Sequence, residues 1–131
     1  MIFYDASSRP ALPMGRIRIT DVHAKTLPVF DFIVDSGADC SCVPQTAVDH
    51  TLGLDYDIAT VKDYDGRVRR LRLVRILEAT VDFLDQQDRV VLSRQYTNLK
   101  LLIVQDGILG RDVLNEHICE LDGPGLRGQL R

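Results

Sequence analysis

Cysteine is scarce and odd in number, with only Cys40, Cys42 and Cys119 in 131 residues. An odd count argues against a closed disulfide framework and fits a reducing compartment, here read as cytoplasmic. Cys40 and Cys42 stand two apart, where disulfide geometry is rarely met, so the thiols are expected to be buried and structural. His23, His50 and His117 are scattered without metal-ligand spacing and are read as incidental. Long apolar runs are missing too, so no segment approaches the length that crosses a bilayer. The start, Met1-Ile2-Phe3-Tyr4-Asp5, lacks the basic residues and apolar core of a secretion signal, although a processed piece of a larger tethered protein would look the same. Positive charge is not in excess: 16 Lys and Arg face 19 Asp and Glu, for a net charge of −3. That balance excludes an overall nucleic-acid footprint. The one basic cluster, Arg67, Arg69, Arg70, Arg72 and Arg75, reads as a solvated strand face. Repeats and low-complexity stretches are absent.

What is present is a chain long enough for one well-filled domain, 45% hydrophobic and 27% charged. Residues 1–14, with Pro10 and Pro13, read as an irregular arm, and residues 15–131 as the domain. Residues 15–21 alternate, with Ile17 and Ile19 on one face, as a half-buried strand does. Residues 27–34 read as a strand buried more fully, and residues 40–43 as another short one. Residues 44–52 predict a short helix ended by Gly53. Residues 56–62 run into Asp63-Tyr64-Asp65-Gly66, and Asp-Gly between two β-patterned runs predicts a hairpin. The return arm spans residues 68–76 and 79–84, and residues 90–92 and 99–104 form further strands. Residues 111–117 turn helical, and residues 118–121 and 126–130 flank a terminal turn. The fold class is mainly β, a small closed barrel.

The chemistry concentrates at Asp35-Ser36-Gly37-Ala38, at the end of the apolar strand Val29-Phe30-Asp31-Phe32-Ile33-Val34. Roughly seventy residues later, Ile108-Leu109-Gly110-Arg111-Asp112 again runs from apolar residues into a glycine and a polar pair. One aspartate does little alone: its pKa of about 3.9 makes it a weak base and no acid at neutral pH. Two aspartates about 3 Å apart hold one proton between them and can hydrolyse an amide without metal, cofactor or covalent intermediate. The chain has one Asp-Ser-Gly, because Asp65, Asp106 and Asp122 lack the intervening hydroxyl. A catalytic reading therefore requires a symmetric homodimer. The bland alternative is a turn residue bonded to its own backbone.

Ile33-Val34-Asp35-Ser36-Gly37-Ala38-Asp39, the turn at Asp65-Gly66, and Ile108-Leu109-Gly110-Arg111-Asp112 resemble, in order, the signatures of the retropepsin-like aspartic proteases. The resemblance covers residues 15–131 and implies that family's barrel, with a flap hairpin and one short C-terminal helix. It implies that Asp35 is the catalytic carboxylate, that Ser36 bonds across the dimer axis, and that Gly37 exposes its backbone to substrate. Ala38 and Asp39 would meet an extended polypeptide substrate, with Tyr64, Asp65 and Gly66 closing over it. Arg111 would pair with Asp39, and Gly110 would let the helix pack beneath the Asp35 turn. The flap carries one glycine and several charges, unlike the viral enzymes, and the terminal hairpin looks closer to bacterial members. A catalytically silent module for peptide binding or dimerisation, on the same fold, is the alternative function.

Overall fold

The computed structural model describes residues 1–8, 10–49, 51, 53–62 and 65–131. Ten strands and two short helices follow in chain order among them: β1 (Ile2–Asp5), β2 (Leu12–Asp21), β3 (Phe30–Val34), β4 (Cys42–Pro44), α1 (Gln45–Asp49), β5 (Asp55–Lys62), β6 (Val68–Leu84), β7 (Val90–Val104), β8 (Gly107–Leu109), α2 (Arg111–Leu114), β9 (Cys119–Asp122) and β10 (Arg127–Leu130). Six of them, β2, β3, β8, β4, β7 and β6, pair in that order, and β6 returns to β2 over Arg16↔Leu84 to Asp21↔Ala79. Closure removes the free edges of this part of the sheet. The expected small closed β-barrel is what forms.

The alternation read in residues 15–21 sends Ile17 and Ile19 inward, 5% and 0% exposed. They meet Phe32, Val43, Val74, Val81, Phe83 and Leu101 in one core, where the rings of Phe32 and Phe83 cross edge to face at 6.3 Å. Each fully buried side chain of this size contributes roughly 1.5–3 kcal/mol. At the hairpin of β5 and β6, Gly66 takes φ +80° beside Asp65, a left-handed turn geometry that suits glycine. Asp63 and Tyr64 lie outside the described residues, as do His50 and Leu52 near the end of the predicted helix.

Several expectations are corrected. Within residues 1–14, expected to be an irregular arm, Ile2–Asp5 forms β1 and Leu12 begins β2: β1 pairs with both β2 and β10, and Ile2 is 1% exposed. Four residues are too few to announce themselves by alternation, and their strand state comes from partners elsewhere in the chain. Residues 90–92 and 99–104 belong to one strand, β7, and the whole return arm is one strand, β6. The polar stretch between is held by cross-strand side chains, Ser93 Oγ donating to Asp82 at 2.7 Å and Gln95 Nε2 to Thr80 at 3.1 Å. Only Arg111–Leu114 of the longer predicted helix is α-helical, the rest continuing as turns. Cys42 is buried, but Cys40 is half-buried and Cys119 is exposed on β9.

His117 is not incidental. Its ring stands edge-on to Phe83 at 5.3 Å and its Nε2 shares a 2.8 Å hydrogen bond with the Tyr96 hydroxyl, tying the terminal hairpin to the barrel. Burial, then the nearby Arg94, lowers its pKa from 6.5. A depressed folded-state value favours the neutral ring, so its stabilisation is present above about pH 6.5 and is lost as pH falls through the lower folded value. The melting temperature should therefore fall on acidification from about pH 7 to about pH 5, and less so in His117→Gln. Parallel wild-type and variant curves across that window would remove this role.

Candidate active site

The site begins with a topological insertion. Strand β8 lies between β3, which it pairs in parallel, and β4, which it pairs antiparallel. The chain leaving β3 must pass around the end of β8 before entering β4. Asp35 stands at the start of that passage, and its N–H donates to Leu109 O at 3.0 Å, pinning the loop to β8. The Asp35 Oδ1 accepts Gly37 N–H at 2.9 Å and the Asp35 carbonyl accepts Ala38 N–H at 3.2 Å, which folds Asp35-Ser36-Gly37-Ala38 into a tight turn. Asp35 is half-buried, whereas Ser36 and Gly37 are exposed. A half-buried carboxylate thereby stands at the edge of the core, backed by its own turn.

The other half of the loop is held by residues to which the sequence analysis assigned no role. Ser41, 1% exposed, donates its hydroxyl to Asp112 Oδ1 at 2.6 Å and accepts Gly110 N–H at 2.9 Å. Its own N–H donates to Asp112 Oδ2 at 2.9 Å, and Asp112 Oδ1 also accepts Val113 N–H at the start of α2. Buried polar groups need such partners, and a small network that satisfies them all is rigid. The usable clue was a hydroxyl inside the apolar stretch 40–43, which demands a partner when buried.

Gly110 and Arg111 complete the brace. A Cβ on Gly110 would lie 2.8 Å from the carbonyl carbon and oxygen of Cys40 and 2.9 Å from Ala38 O, so the Asp35 loop passes directly over this residue. Arg111 N–H donates to Ala38 O at 2.8 Å, and its guanidinium pairs with the Asp39 carboxylate. Both ends of that pair are well exposed, so its contribution to stability is small. The nearby thiols are poor nucleophiles. Burial, aided by Cys40, Asp112 and Asp35, pushes Cys42 up to about 12, and burial likewise raises Cys40.

An open groove of about 1020 Å³ runs beside this loop. Gly37, Ala38, Asp39 and Cys40 form one wall, and Thr60, Val61, Lys62, Arg69 and Leu71 of the β5–β6 hairpin form the other. Leu102, Val104 and Ile108 supply an apolar floor. The arms of the hairpin, rather than Asp65 and Gly66 at its tip, line this space, and Tyr64 lies outside the described residues. Asp35, Ser36, Gly37, Ala38 and Asp39 thus share one loop, with Gly110 and Arg111 behind it. Among the described residues no three His, Cys, Asp or Glu side chains come together to hold a metal, and no helix is long and apolar enough to cross a membrane.

No protein-family model and no curated protein sequence matches the chain. Solved structures do resemble it. EIAV protease, in a complex with the inhibitor HBY-793, aligns at a TM-score of 0.52 and 16% identity, over 80% of this chain and 86% of that one. A retropepsin-like aspartic protease from Rickettsia conorii aligns at 0.51 and 15% identity, over 93% of this chain and 83% of that one. At such identities the likeness is one of architecture, and the architecture of this chain is the retropepsin-like aspartic protease fold.

Proposed function

We propose that this chain is an aspartic endopeptidase acting as a homodimer, with one Asp35 from each protomer forming the catalytic pair. The observation that carries the reading is a pinned, half-buried Asp35 whose loop, through Gly37, Ala38, Asp39 and Cys40, forms one wall of an open groove. Two such carboxylates about 3 Å apart share one proton. The ionised member takes a proton from a bridging water as its oxygen attacks the amide carbonyl, and the protonated member gives its proton to the carbonyl oxygen. The tetrahedral intermediate then collapses, the C–N bond breaks, and a proton passed back through the pair leaves with the amine. Neither metal nor cofactor is needed.

In this reading Ser36 hydrogen-bonds across the twofold axis, and Gly37, Ala38 and Asp39 meet the peptide backbone. The peptide lies in the groove as an added strand, its alternate side chains on the apolar floor. Tyr64, Asp65 and Gly66 close over it and exclude water. Gly110 and Arg111 hold the loop. The three free thiols suit a cytoplasmic setting. A silent peptide-binding module on the same fold draws support from the charged hairpin, with Lys62, Asp65 and Arg67 at or near its tip.

A disordered polypeptide substrate separates the two. The protease cleaves it, and a peptide carrying a non-hydrolysable hydroxyl isostere of the tetrahedral intermediate inhibits at least ~100-fold more tightly than the matching substrate binds. A module that binds both peptides equally and cleaves neither defeats the proposal.

A further inference from the structure

The hairpin of β5 and β6 has two faces of different character. Residues directly opposite in an antiparallel pair share a face, as do alternate residues along one strand. Val61, Arg69 and Leu71 thus share the face that borders the groove, and Asp55 and Asp57 lie on it beside Arg75. The other face carries Tyr56, Ile58, Val68, Arg70 and Arg72, with Val74 at its inner end. Val74 is 0% exposed and belongs to the barrel core. Toward the tip the same face grows bare: Tyr56 is 39%, Ile58 56% and Val68 67% exposed. The arms overhang the barrel, so a face that begins as core runs beyond anything that covers it. Single exposed apolar side chains are ordinary, whereas three along one face form a patch.

Charge on this face has one sign. The pairing register divides the basic cluster of the sequence and sets Arg70 and Arg72 here, both exposed. Arg72 stands opposite Ile58, and its guanidinium lies 4.5 Å from the centre of the Tyr56 ring. Arginines on the barrel body are paired, Arg16 with Asp31 and Asp88, Arg18 with Asp82, and Arg89 with Asp85. Among the described residues, Arg70 and Arg72 meet no carboxylate, and the acidic residues of β5 lie on the opposite face. Lys62, across from Val68 at the tip, borders both this face and the groove.

We propose that this overhanging face binds an acidic, apolar-containing segment of another polypeptide. Its carboxylates meet Arg70 and Arg72, and its apolar side chains cover Ile58 and Val68. The site is separate from the groove and does not depend on Asp35. Arg70 and Arg72 repeat at about 6.6 Å along their strand, the spacing of alternate side chains in an extended peptide. Carboxylates at every second position therefore reach both, and each guanidinium can be gripped in bidentate fashion. The other occupants fit less well. Two copies of this face packed together set arginine against arginine. A single-stranded nucleic acid leaves Ile58 and Val68 without apolar partners, and the one aromatic ring is already faced by Arg72.

Fluorescence anisotropy with labelled peptides tests the site. The probe repeats Leu-Ser-Glu-Ser, which sets leucine and glutamate on one side of an extended strand, and its control repeats Leu-Ser-Lys-Ser. The wild type should bind the acidic probe at least ~30-fold more tightly than the control, and added salt should weaken that binding. Arg70→Glu combined with Arg72→Glu should reverse the preference, and Ile58→Ser should weaken the acidic probe about 10-fold. If the double variant fails to fold, Arg70→Gln alone should still weaken it about 5-fold. Equal binding of the two probes overturns the proposal, as does acidic binding untouched by these substitutions. Tighter binding of oligothymidylate, or of phosphatidylserine vesicles, overturns it in favour of a nucleic acid or a membrane. Asp35→Asn should bind the acidic probe as the wild type does. Peptide cleavage by a wild type that ignores the probe sinks this site alone. Probe binding by a chain that cleaves no polypeptide sinks the protease reading alone.

Discussion

Asp35→Asn should lower the rate of peptide hydrolysis by at least ~1,000-fold while leaving the dimer intact. Asn has the same shape, and its side-chain oxygen can still accept the Gly37 N–H that Asp35 Oδ1 accepts at 2.9 Å. The turn therefore keeps its geometry, and what disappears is the ability to hold and release a proton. Mixing makes the test sharper. If wild-type and Asn chains exchange freely, only dimers with two carboxylates turn over, so activity follows the square of the wild-type fraction. An equal mixture should retain about a quarter of the activity of the same number of active-type dimers. Activity proportional to the first power of that fraction means that each chain works alone, and the shared-proton account is then wrong. Measuring the initial rate across the mixing series, with sedimentation to confirm exchange, decides it.

Gly110→Ala should cost about 3 kcal/mol of stability, because the buried Gly110 lies directly under the Asp35 loop. The added Cβ would fall 2.8 Å from the Cys40 carbonyl and 2.9 Å from Ala38 O. Both neighbours are backbone atoms of the Asp35 loop, so no flexible side chain can swing aside. The same residues already carry bonds that resist displacement: Ala38 O accepts Arg111 N–H, and Ser41 Oγ accepts Gly110 N–H. Relief has to come from lifting the whole loop, which disorders the carboxylate it presents. Thermal unfolding should show a fall of roughly 10 °C, with peptidase activity lost in the same variant. Gly123→Ala is the matched control, because nothing lies within 4 Å of its Cβ position, and it should change stability by less than about 0.5 kcal/mol. Equal melting temperatures for the two variants would show that Gly110 is not under the loop in solution.

The parts legible in the residues were those governed by near neighbours. Ile17 and Ile19 announce a strand by alternation, and both are buried. Asp65-Gly66 announces a hairpin because positive φ is needed there, and Gly66 adopts it. Leu109-Gly110-Arg111 could be matched with Asp35 only through a familiar pattern of motifs, and the two segments do meet through Asp35 N–H and Leu109 O. Readings that failed depended on distant partners. Polar residues 93–98 look like a break until Asp82 and Thr80 lie across from them. Cys119 looks like a core thiol until β9 turns out to be an outer strand.

By itself, then, the order of residues determined that this is a β protein whose one Asp-Ser-Gly follows an apolar strand and closes a tight turn. Those features follow from side-chain period and backbone preference, which act over a few residues. Only the tertiary structure decided that Ser41 and Asp112, 71 positions apart, clamp that turn from behind. Only it decided that β1 closes on β10 within the same chain, leaving β9 outermost. Buried hydroxyls and strand edges take whatever partner the closed barrel brings to them, and that choice is made by the packing of the whole chain.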